Sequence, residues 1–109
     1  MMKIVNGRRY DTDKAIEIDE FNNFGRGADS VQDFRYWQAS LYRTPKGGRY
    51  FIYGYGGPMT RFAQSAGQNS WGSGWDIIPL SRKEAFEWAQ VYLSPDAVEQ
   101  EFSDLIEDA

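Results

Sequence analysis

Hydrophobic and polar positions alternate most clearly between residues 33 and 57, where a cluster of proline and glycine at residues 44–48 separates two arms. Neither a strand nor a helix continues through such a cluster. The second arm, residues 49–55, is almost entirely aromatic or β-branched, the composition of a pleated, half-buried surface. In the first arm, residues 34–43, the alternation separates two sets of side chains: Phe34, Tyr36 and Tyr42 on one side, and Trp37, Ala39 and Leu41 on the other. The pattern predicts a central aromatic β-hairpin with both faces partly covered.

A shorter hairpin is predicted near the start of the chain. Asn6 and Gly7 separate two short runs, and an Asn-Gly pair is the strongest sequence signal for a type I′ turn, because both turn positions need a positive φ angle. After this hairpin, the Asp-Thr-Asp run at residues 11–13 can cap a short helical turn through Ala15 and Ile16. Residues 17–21 are predicted to form a strand or an extended edge, and residues 22–29 a loop.

Apolar residues at helical spacing follow the central hairpin. Pro58 suits the first turn of a helix. The apolar positions after it are Met59, Phe62, Ala63 and Ala66. We therefore expect a helix over residues 58–66 that ends at Gly67. Next come a predicted loop over residues 68–74, which contains Trp71, and a short apolar strand over residues 76–80, which Pro79 places at a sheet edge or a strand end.

Two further helices are predicted at the C-terminal end. Ser81 and Glu84 form a capping box, in which each side chain bonds the backbone amide of the other residue. That helix runs to about Leu93. Ser94 and Pro95 then start another helix, with serine as the cap and proline in the first turn. The residues expected to face the core are Ala85, Trp88, Ala89 and Tyr92 in the first of these helices and Val98, Phe102, Leu105 and Ile106 in the second.

The order of these elements indicates the α+β class. We expect an antiparallel sheet built on the central aromatic hairpin, with helices packed mainly on one face and two C-terminal helices. A chain of 109 residues, 41% of them hydrophobic and 17% aromatic, can build one core and is too short for two. Residues 1–109 are therefore predicted to form a single domain.

The chain lacks both cysteine and histidine. Their absence excludes disulfides, zinc–thiolate and iron–sulfur sites, and the Ser-His-Asp and Cys-His arrangements of nucleophilic catalysis. Carboxylates cluster at Glu17, Asp19 and Glu20, but acid–base chemistry would need them around a substrate cleft, for which the domain offers little room. We expect a non-enzymatic protein without metal or cofactor. The first residues lack the apolar run of a secretory signal, and no segment is long enough to span a membrane, which predicts a cytoplasmic location.

Charge is distributed unevenly along the chain, whose net charge is −4. Residues 84–109 hold eight acids and no base, whereas residues 21–83 hold eight bases and three acids. The helix dipole favours acids near a helix N-terminus and disfavours those at the other end, so helix stability does not explain the whole run. A solvated, solubilising face explains it, and so does an acidic surface that occupies a basic groove on a partner. The candidate partner-binding residues of this acidic helix are Asp96, Glu99, Glu101, Asp104, Glu107 and Asp108.

The central hairpin and the segment after it offer an alternative contact surface. Arginines interleaved with aromatic rings resemble a nucleic-acid-binding sheet, where rings stack on bases and guanidinium groups hold phosphates. The pI of 4.7 is opposite to the usual basic footprint of such proteins, and arginine stems often simply cover neighbouring rings. Tryptophans in the following loop form either a lid on the core or a recognition surface. The residues of this alternative surface are Arg35, Trp37, Arg43, Arg49, Trp71 and Trp75.

Several segments, in order along the chain, also resemble one group of proteins. They are residues 3–12 (KIVNGRRYDT), 41–43 (LYR) with 50–57 (YFIYGYGG), and 77–81 (IIPLS) with Glu84-Ala85 and Trp88-Ala89. The chain is similar, over nearly its whole length, to short proteins encoded on phages and integrative elements of Gram-positive bacteria. The matching positions are turns, strand cores and a helix cap, and they carry no catalytic motif across.

Some small acidic proteins of such elements are anti-CRISPR inhibitors or other anti-defence factors, which block a host nuclease by binding it. The resemblance therefore implies a non-enzymatic anti-defence protein. Its expected partner is a host defence protein such as a CRISPR effector nuclease, whose access to nucleic acid it blocks. The alternative is a small nucleic-acid-binding module that uses the basic aromatic hairpin.

Overall fold

The computed structural model describes all 109 residues and confirms the α+β class. The strands are β1 (Met2–Val5), β2 (Arg8–Asp11), β3 (Ile16–Asn22), β4 (Trp37–Arg43), β5 (Tyr50–Gly56), β6 (Gln64–Gly67), β7 (Ser70–Gly72) and β8 (Gly74–Leu80). The helices are α1 (Arg82–Tyr92) and α2 (Pro95–Phe102), with 3₁₀ turns at Thr12–Lys14 and Ser103–Leu105. Asp11 caps the first of these turns, which is the predicted helical turn but ends at Lys14, before Ile16 begins β3. Neither helix has the length and apolar character that crossing a membrane requires.

A four-stranded antiparallel sheet in the order β3-β4-β5-β8 forms the centre of the fold. Its two middle strands are the predicted aromatic hairpin, in which Trp37 pairs with Gly56 at one end and Arg43 with Tyr50 at the other. β8 pairs with β5 alone, so Pro79 lies on an edge strand, as predicted. An edge strand can accommodate a residue without a backbone N–H group.

The first arm of the central hairpin is shorter than the sequence predicts. β4 begins at Trp37, and Phe34 and Tyr36 lie in the preceding loop. The side chain of Asn23 fixes this boundary, because its Nδ2 donates to the carbonyl of Arg35 (2.8 Å) and its Oδ1 accepts from the amide of Trp37 (2.9 Å). The backbone is therefore held in a loop conformation up to the first residue of the strand.

Both C-terminal helices pack on one face of the sheet, as predicted. Ser81 and Glu84 form the capping box that begins α1, and Ser94 caps α2 with Pro95 in its first turn. The main core lies between these helices and the sheet. Its buried residues are Ala39, Leu41, Tyr50, Ile52, Phe62, Ala85, Ala89, Leu93, Val98 and Phe102, while Trp88 and Tyr92 are half-buried.

The apolar stripe predicted for the last helix is only half buried. Val98 and Phe102 face the core, as expected. However, α2 ends at Phe102 and the chain continues as a 3₁₀ turn, whose period of about three residues carries the stripe away from the core-facing side. Leu105 and Ile106 are consequently 41% and 42% exposed.

The opposite face of the sheet is covered at one end only. The β1–β2 hairpin packs there against the buried side chains of Phe51 and Ile77, and Tyr10 meets the Phe51 ring edge-on at 5.5 Å. Its turn has the predicted geometry, since φ is 52° at Asn6 and 77° at Gly7. At the other end of this face, aromatic side chains line an open groove.

The helix predicted over residues 58–66 is wrong. Residues 57–63 form turns and bends instead. Phe62 accounts for the difference, because its buried ring lies directly against the backbone of Gly54 in β5, a place that opens only when the sheet has formed. Met59 is 68% exposed and Ala66 is exposed too, so the apolar residues at helical spacing share no buried face.

The loop predicted over residues 68–74 is largely replaced by the β6–β7 hairpin. Gln64 pairs with Gly72, and Asn69 in the turn between the strands has a positive φ of 57°. Asparagine tolerates this left-handed conformation better than most residues. Trp71 therefore lies in a strand and is 64% exposed, so it does not form a lid on the core.

Gly54 is predicted to tolerate no side chain. A Cβ atom at this position would overlap the ring of Phe62, and overpacking a core costs about 1–3 kcal/mol. We expect Gly54→Ala to lower the free energy of unfolding by about 2 kcal/mol in urea denaturation followed by tryptophan fluorescence. The matched control is Gly72→Ala, whose Cβ would meet the Cβ of Ala66 at an ordinary 3.5 Å. This control should change stability by no more than about 0.5 kcal/mol, and equal losses would contradict the role assigned to Phe62.

Candidate functional site

The predicted acidic surface lies on α2 and the residues after it. Asp96, Glu99 and Glu101 belong to α2, Asp104 to the 3₁₀ turn, and Glu107 and Asp108 to the C-terminal segment. The structure divides these six carboxylates into two groups. Two of them form ion pairs within the chain, and the other four do not.

Glu101 anchors α2 to the central hairpin. Its Oε2 accepts hydrogen bonds from the Nε of Arg43 at 2.8 Å and from the hydroxyl of Tyr50 at 2.6 Å. Only 14% of its side chain is exposed. Burial, and then the hydrogen bond to Glu101, raise the pKa of the Tyr50 hydroxyl. Glu101 is therefore engaged inside the protein, and a partner could bind it only by breaking both bonds.

Asp104 is bound by the arginine at the start of α1. Arg82 donates from Nη1 to Oδ2 at 2.8 Å and from Nη2 to Oδ1 at 2.6 Å, the two-pronged geometry that strengthens arginine–carboxylate pairs. These hydrogen bonds lower the pKa of the Asp104 carboxyl and raise that of Arg82. The Arg82 guanidinium also lies 5.7 Å from the centre of the Phe102 ring. This pair joins the start of α1 to the 3₁₀ turn that follows α2.

The other four carboxylates are exposed and form no hydrogen bond or ion pair within the chain: Asp96, Glu99, Glu107 and Asp108. Three of them line a groove of about 690 Å³ between α1, α2 and the C-terminal segment, which we call the acidic groove. Its carboxylates are Glu99, Glu107 and Asp108, and its apolar lining includes Phe86, Leu93, Val98, Leu105 and Ile106.

The acidic groove combines two kinds of surface. Leu105 and Ile106, which α2 leaves exposed, offer apolar area that a partner can bury. The carboxylates around them offer charges without an internal counterion, and such charges steer a basic partner and fix its orientation. The groove is therefore complementary to a surface with apolar groups surrounded by lysine and arginine.

The alternative surface is not assembled in the structure. Trp37 is half-buried and packs against the main core on the helix-covered face. Arg43 is bound to Glu101 on that face. Arg35 lies in the loop before β4, where its Nε and Nη2 donate to the carboxylate of Asp33 at 3.1 and 2.8 Å. These bonds hold the pKa of Asp33 well below its usual range.

The remaining members of that surface lie in three different places. Arg49 is exposed in the turn before β5, Trp71 lies on β7, and Trp75 lies at the open end of the sheet. These residues belong to different elements, and Trp37 and Trp75 lie on opposite faces of the sheet. The rings and guanidinium groups therefore do not form one continuous surface.

A second groove, which sequence reasoning largely missed, lies at that open end. Tyr53 and Tyr55 belong to β5, and Tyr55 is paired with Trp75 of β8 on one side and with Gln38 of β4 on the other. With the wall formed by residues 31–36, these side chains line about 800 Å³, which we call the aromatic groove. A signal was present in the sequence, since tyrosines that alternate with glycines in one strand must place both rings on one face.

The carboxylates considered for enzymatic chemistry have structural partners. Asp19 accepts hydrogen bonds from the amide and the hydroxyl of Ser94, at 3.2 and 3.1 Å, and so supports the start of α2. Glu20 accepts a hydrogen bond from the side-chain Nε2 of Gln38 at 2.9 Å. Nowhere in the chain do three or more acidic side chains converge in a way that could hold a metal ion.

Comparisons of the chain with protein-family models, with curated proteins and with solved structures find no match. The function must therefore be inferred from the chemistry and geometry of the two grooves.

Glu101 and Glu99 lie on the same helix and should respond differently to truncation. Glu101→Ala leaves the hydroxyl of Tyr50 and the guanidinium of Arg43 without their partner, so we expect a loss of about 2 kcal/mol in the free energy of unfolding. Glu99→Ala removes an exposed side chain without a partner and should change stability by less than about 0.5 kcal/mol. Urea denaturation of both variants tests this, and similar losses would show that Glu101 is not an anchor.

Because of the Arg82–Asp104 pair, the stability of the fold should depend on pH. The folded-state pKa of Asp104 lies below the ordinary value of 3.8. A carboxyl with a depressed folded-state pKa stabilises the fold at pH values above its unfolded pKa, and this contribution is lost as the pH falls through the folded-state pKa. In Arg82→Ala the midpoint of Asp104, followed by carbon-13 NMR of its carboxyl, should rise towards 3.8. Lys83→Ala serves as the control and should leave that midpoint unchanged, while an unchanged midpoint in Arg82→Ala would contradict the assignment.

Proposed function

We propose that this protein is a non-enzymatic inhibitor, of the anti-CRISPR kind, that binds a basic surface of a host defence nuclease and blocks its access to nucleic acid. The observation that carries this proposal is the acidic groove, in which Glu99, Glu107 and Asp108 border exposed apolar side chains without any internal counterion. An origin in a phage or integrative element, which the sequence resemblance implies, is part of the same proposal. Such an inhibitor would act in the cytoplasm, where the nuclease works.

The chemistry of the target explains why an acidic groove suits this role. CRISPR effectors hold their guide–target duplex in a positively charged channel and recognise its shape and backbone. Carboxylates compete for the same lysine and arginine side chains that otherwise contact phosphates. Apolar area next to the carboxylates adds affinity that does not depend on charge, and it distinguishes a protein ligand from a nucleic acid.

Because two of the six acids are paired within the chain, fewer residues are available for the proposed contact. Binding through Glu101 or Asp104 would first require the loss of their bonds to Arg43, Tyr50 or Arg82. Glu99 and Asp108 need no such exchange. We therefore place the contact at the free carboxylates around the groove, which are a subset of the residues predicted from the sequence.

A pair of matched charge-reversal variants tests the proposal. The test variant carries Glu99→Lys and Asp108→Lys. The control carries Asp13→Lys and Glu87→Lys, at two exposed acids that form no ion pair and do not line the groove. Both variants replace two carboxylates by two ammonium groups, so they have the same net charge. The assay is target-DNA cleavage by purified, guide-loaded CRISPR effector nucleases from Gram-positive hosts.

We expect the unaltered protein and the control to inhibit at least one nuclease, and the test variant to need a concentration at least about tenfold higher. Inhibition should also weaken as salt rises, because exposed charges are screened. Equal inhibition by both variants would remove the acidic groove from the contact. Failure to inhibit any nuclease, together with direct DNA or RNA binding and a steep salt dependence in gel shifts, would instead favour the nucleic-acid-binding alternative.

A further inference from the structure

We propose that the aromatic groove is a second binding site and that it takes a neutral saccharide. Its floor is a continuous set of rings on two neighbouring strands. The centre of the Tyr53 ring lies 6.2 Å from that of Tyr55 and 6.2 Å from that of Trp75, with the planes tilted by 48° and 49°. Tyr55 and Trp75 are 39% and 38% exposed, so the ring faces are accessible.

The groove is preformed. The wall of residues 31–36 is joined to the chain beyond β5 by two backbone hydrogen bonds, from the amide of Gly57 to the carbonyl of Tyr36 and from the amide of Met59 to the carbonyl of Phe34, both 2.9 Å. Phe34 is 63% exposed and lines the groove from this wall. A rigid wall lowers the entropic cost of binding, because the loop does not have to be ordered by the ligand.

The one carboxylate that lines the groove, that of Asp33, is already paired with Arg35, which argues against a cationic ligand. No free lysine or arginine lines the groove. A phosphate-bearing ligand would therefore find no cation to hold it, although nucleic-acid binding depends on such contacts.

The hydrogen bonds inside the groove decide which neutral ligand fits. The carboxylate of Glu20 can only accept, so the Nε2 of Gln38 must face it, and the Oε1 of Gln38 must point the other way. That oxygen accepts from the hydroxyls of Tyr36 at 3.1 Å and Tyr55 at 2.7 Å. Each phenol thereby uses its only hydrogen. What both hydroxyls can still offer to a ligand is an acceptor.

A ligand for this groove must therefore combine hydrogen-bond donors with a flat apolar face. A proline-rich peptide is the usual occupant of aromatic grooves, but its prolines have no N–H group to donate to the hydroxyl oxygens of Tyr36 and Tyr55. A saccharide has hydroxyl donors around its edge and C–H groups on its ring faces, which can lie on Tyr53, Tyr55 and Trp75. The chemistry of the groove thus favours the saccharide.

The test uses three neutral tetrasaccharides: β-1,4-linked glucose, β-1,4-linked N-acetylglucosamine and α-1,4-linked glucose. Each is titrated to about 10 mM, beyond the weak end of small-ligand affinity, and binding is followed by isothermal titration calorimetry and amide chemical shifts. We expect at least one to bind, with shifts confined to residues around the groove. Trp75→Ala should weaken that binding at least about tenfold through the loss of a stacking surface. The matched control is Trp71→Ala, which removes an exposed ring outside the groove and should leave the affinity unchanged.

A conservative variant keeps the test informative if Trp75→Ala disturbs the sheet. Tyr55→Phe retains the ring and removes the hydroxyl, so it should weaken binding about fivefold, as expected for the loss of one hydrogen bond. Amide spectra of the free variants verify that both remain folded. The proposal is overturned if no tetrasaccharide shifts the groove residues, if Trp71→Ala and Trp75→Ala weaken binding equally, or if a proline decapeptide binds the groove instead.

Discussion

The whole structure depends on the need to cover both faces of β5. Consecutive side chains of this strand point in opposite directions, and both Phe51 and Ile52 are buried, each contributing about 2 kcal/mol through the area it removes from water. The helices cover the face that carries Ile52, and the β1–β2 hairpin covers the face that carries Phe51. That hairpin is only four residues long on each side and reaches one end of the sheet. The aromatic groove is what remains uncovered at the other end.

The acidic groove follows from how α2 is attached to the same strand. Glu101 bonds Tyr50 at the beginning of β5 and Arg43 at the end of β4, so α2 is fixed across the closed end of the central hairpin. Once the helix is fixed there, it ends at Phe102, and the residues after it extend beyond the core. Their apolar and acidic side chains then face solvent together. The bonds of Glu101 thus fix the position from which the carboxylates of the acidic groove extend into solvent.

Features encoded by neighbouring residues were predictable, and features encoded by distant ones were not. The Asn6-Gly7 turn, the capping box of α1 and the Ser94-Pro95 start of α2 depend on a few consecutive residues, and all of them are present. The helix predicted from the apolar spacing after Pro58 does not form, because the space that Phe62 occupies is left by Gly54 in β5.

The roles of the acidic C-terminal residues were equally hard to predict, because their partners are distant in the sequence. Arg43 and Glu101 are 58 positions apart, so nothing in the sequence separates Glu101 from the free carboxylate of Glu99 two residues earlier. The acidic run could be recognised from the sequence, but the division into structural and exposed members required the packed structure. The hydrogen-bond direction at Gln38 could not be predicted either, because it is set by Glu20 on a neighbouring strand.

Two consecutive residues of β3 support elements of the two grooves. Asp19 supports the start of α2 on one face of the sheet, and its neighbour Glu20 orients Gln38 on the other, as the two-residue period of a strand requires. The two grooves lie on opposite sides of the sheet and have no lining residue in common. A change in the register of β3 against β4 would move the half-buried Ile18 and Phe21 away from the main core, so the packing of these two side chains fixes the register.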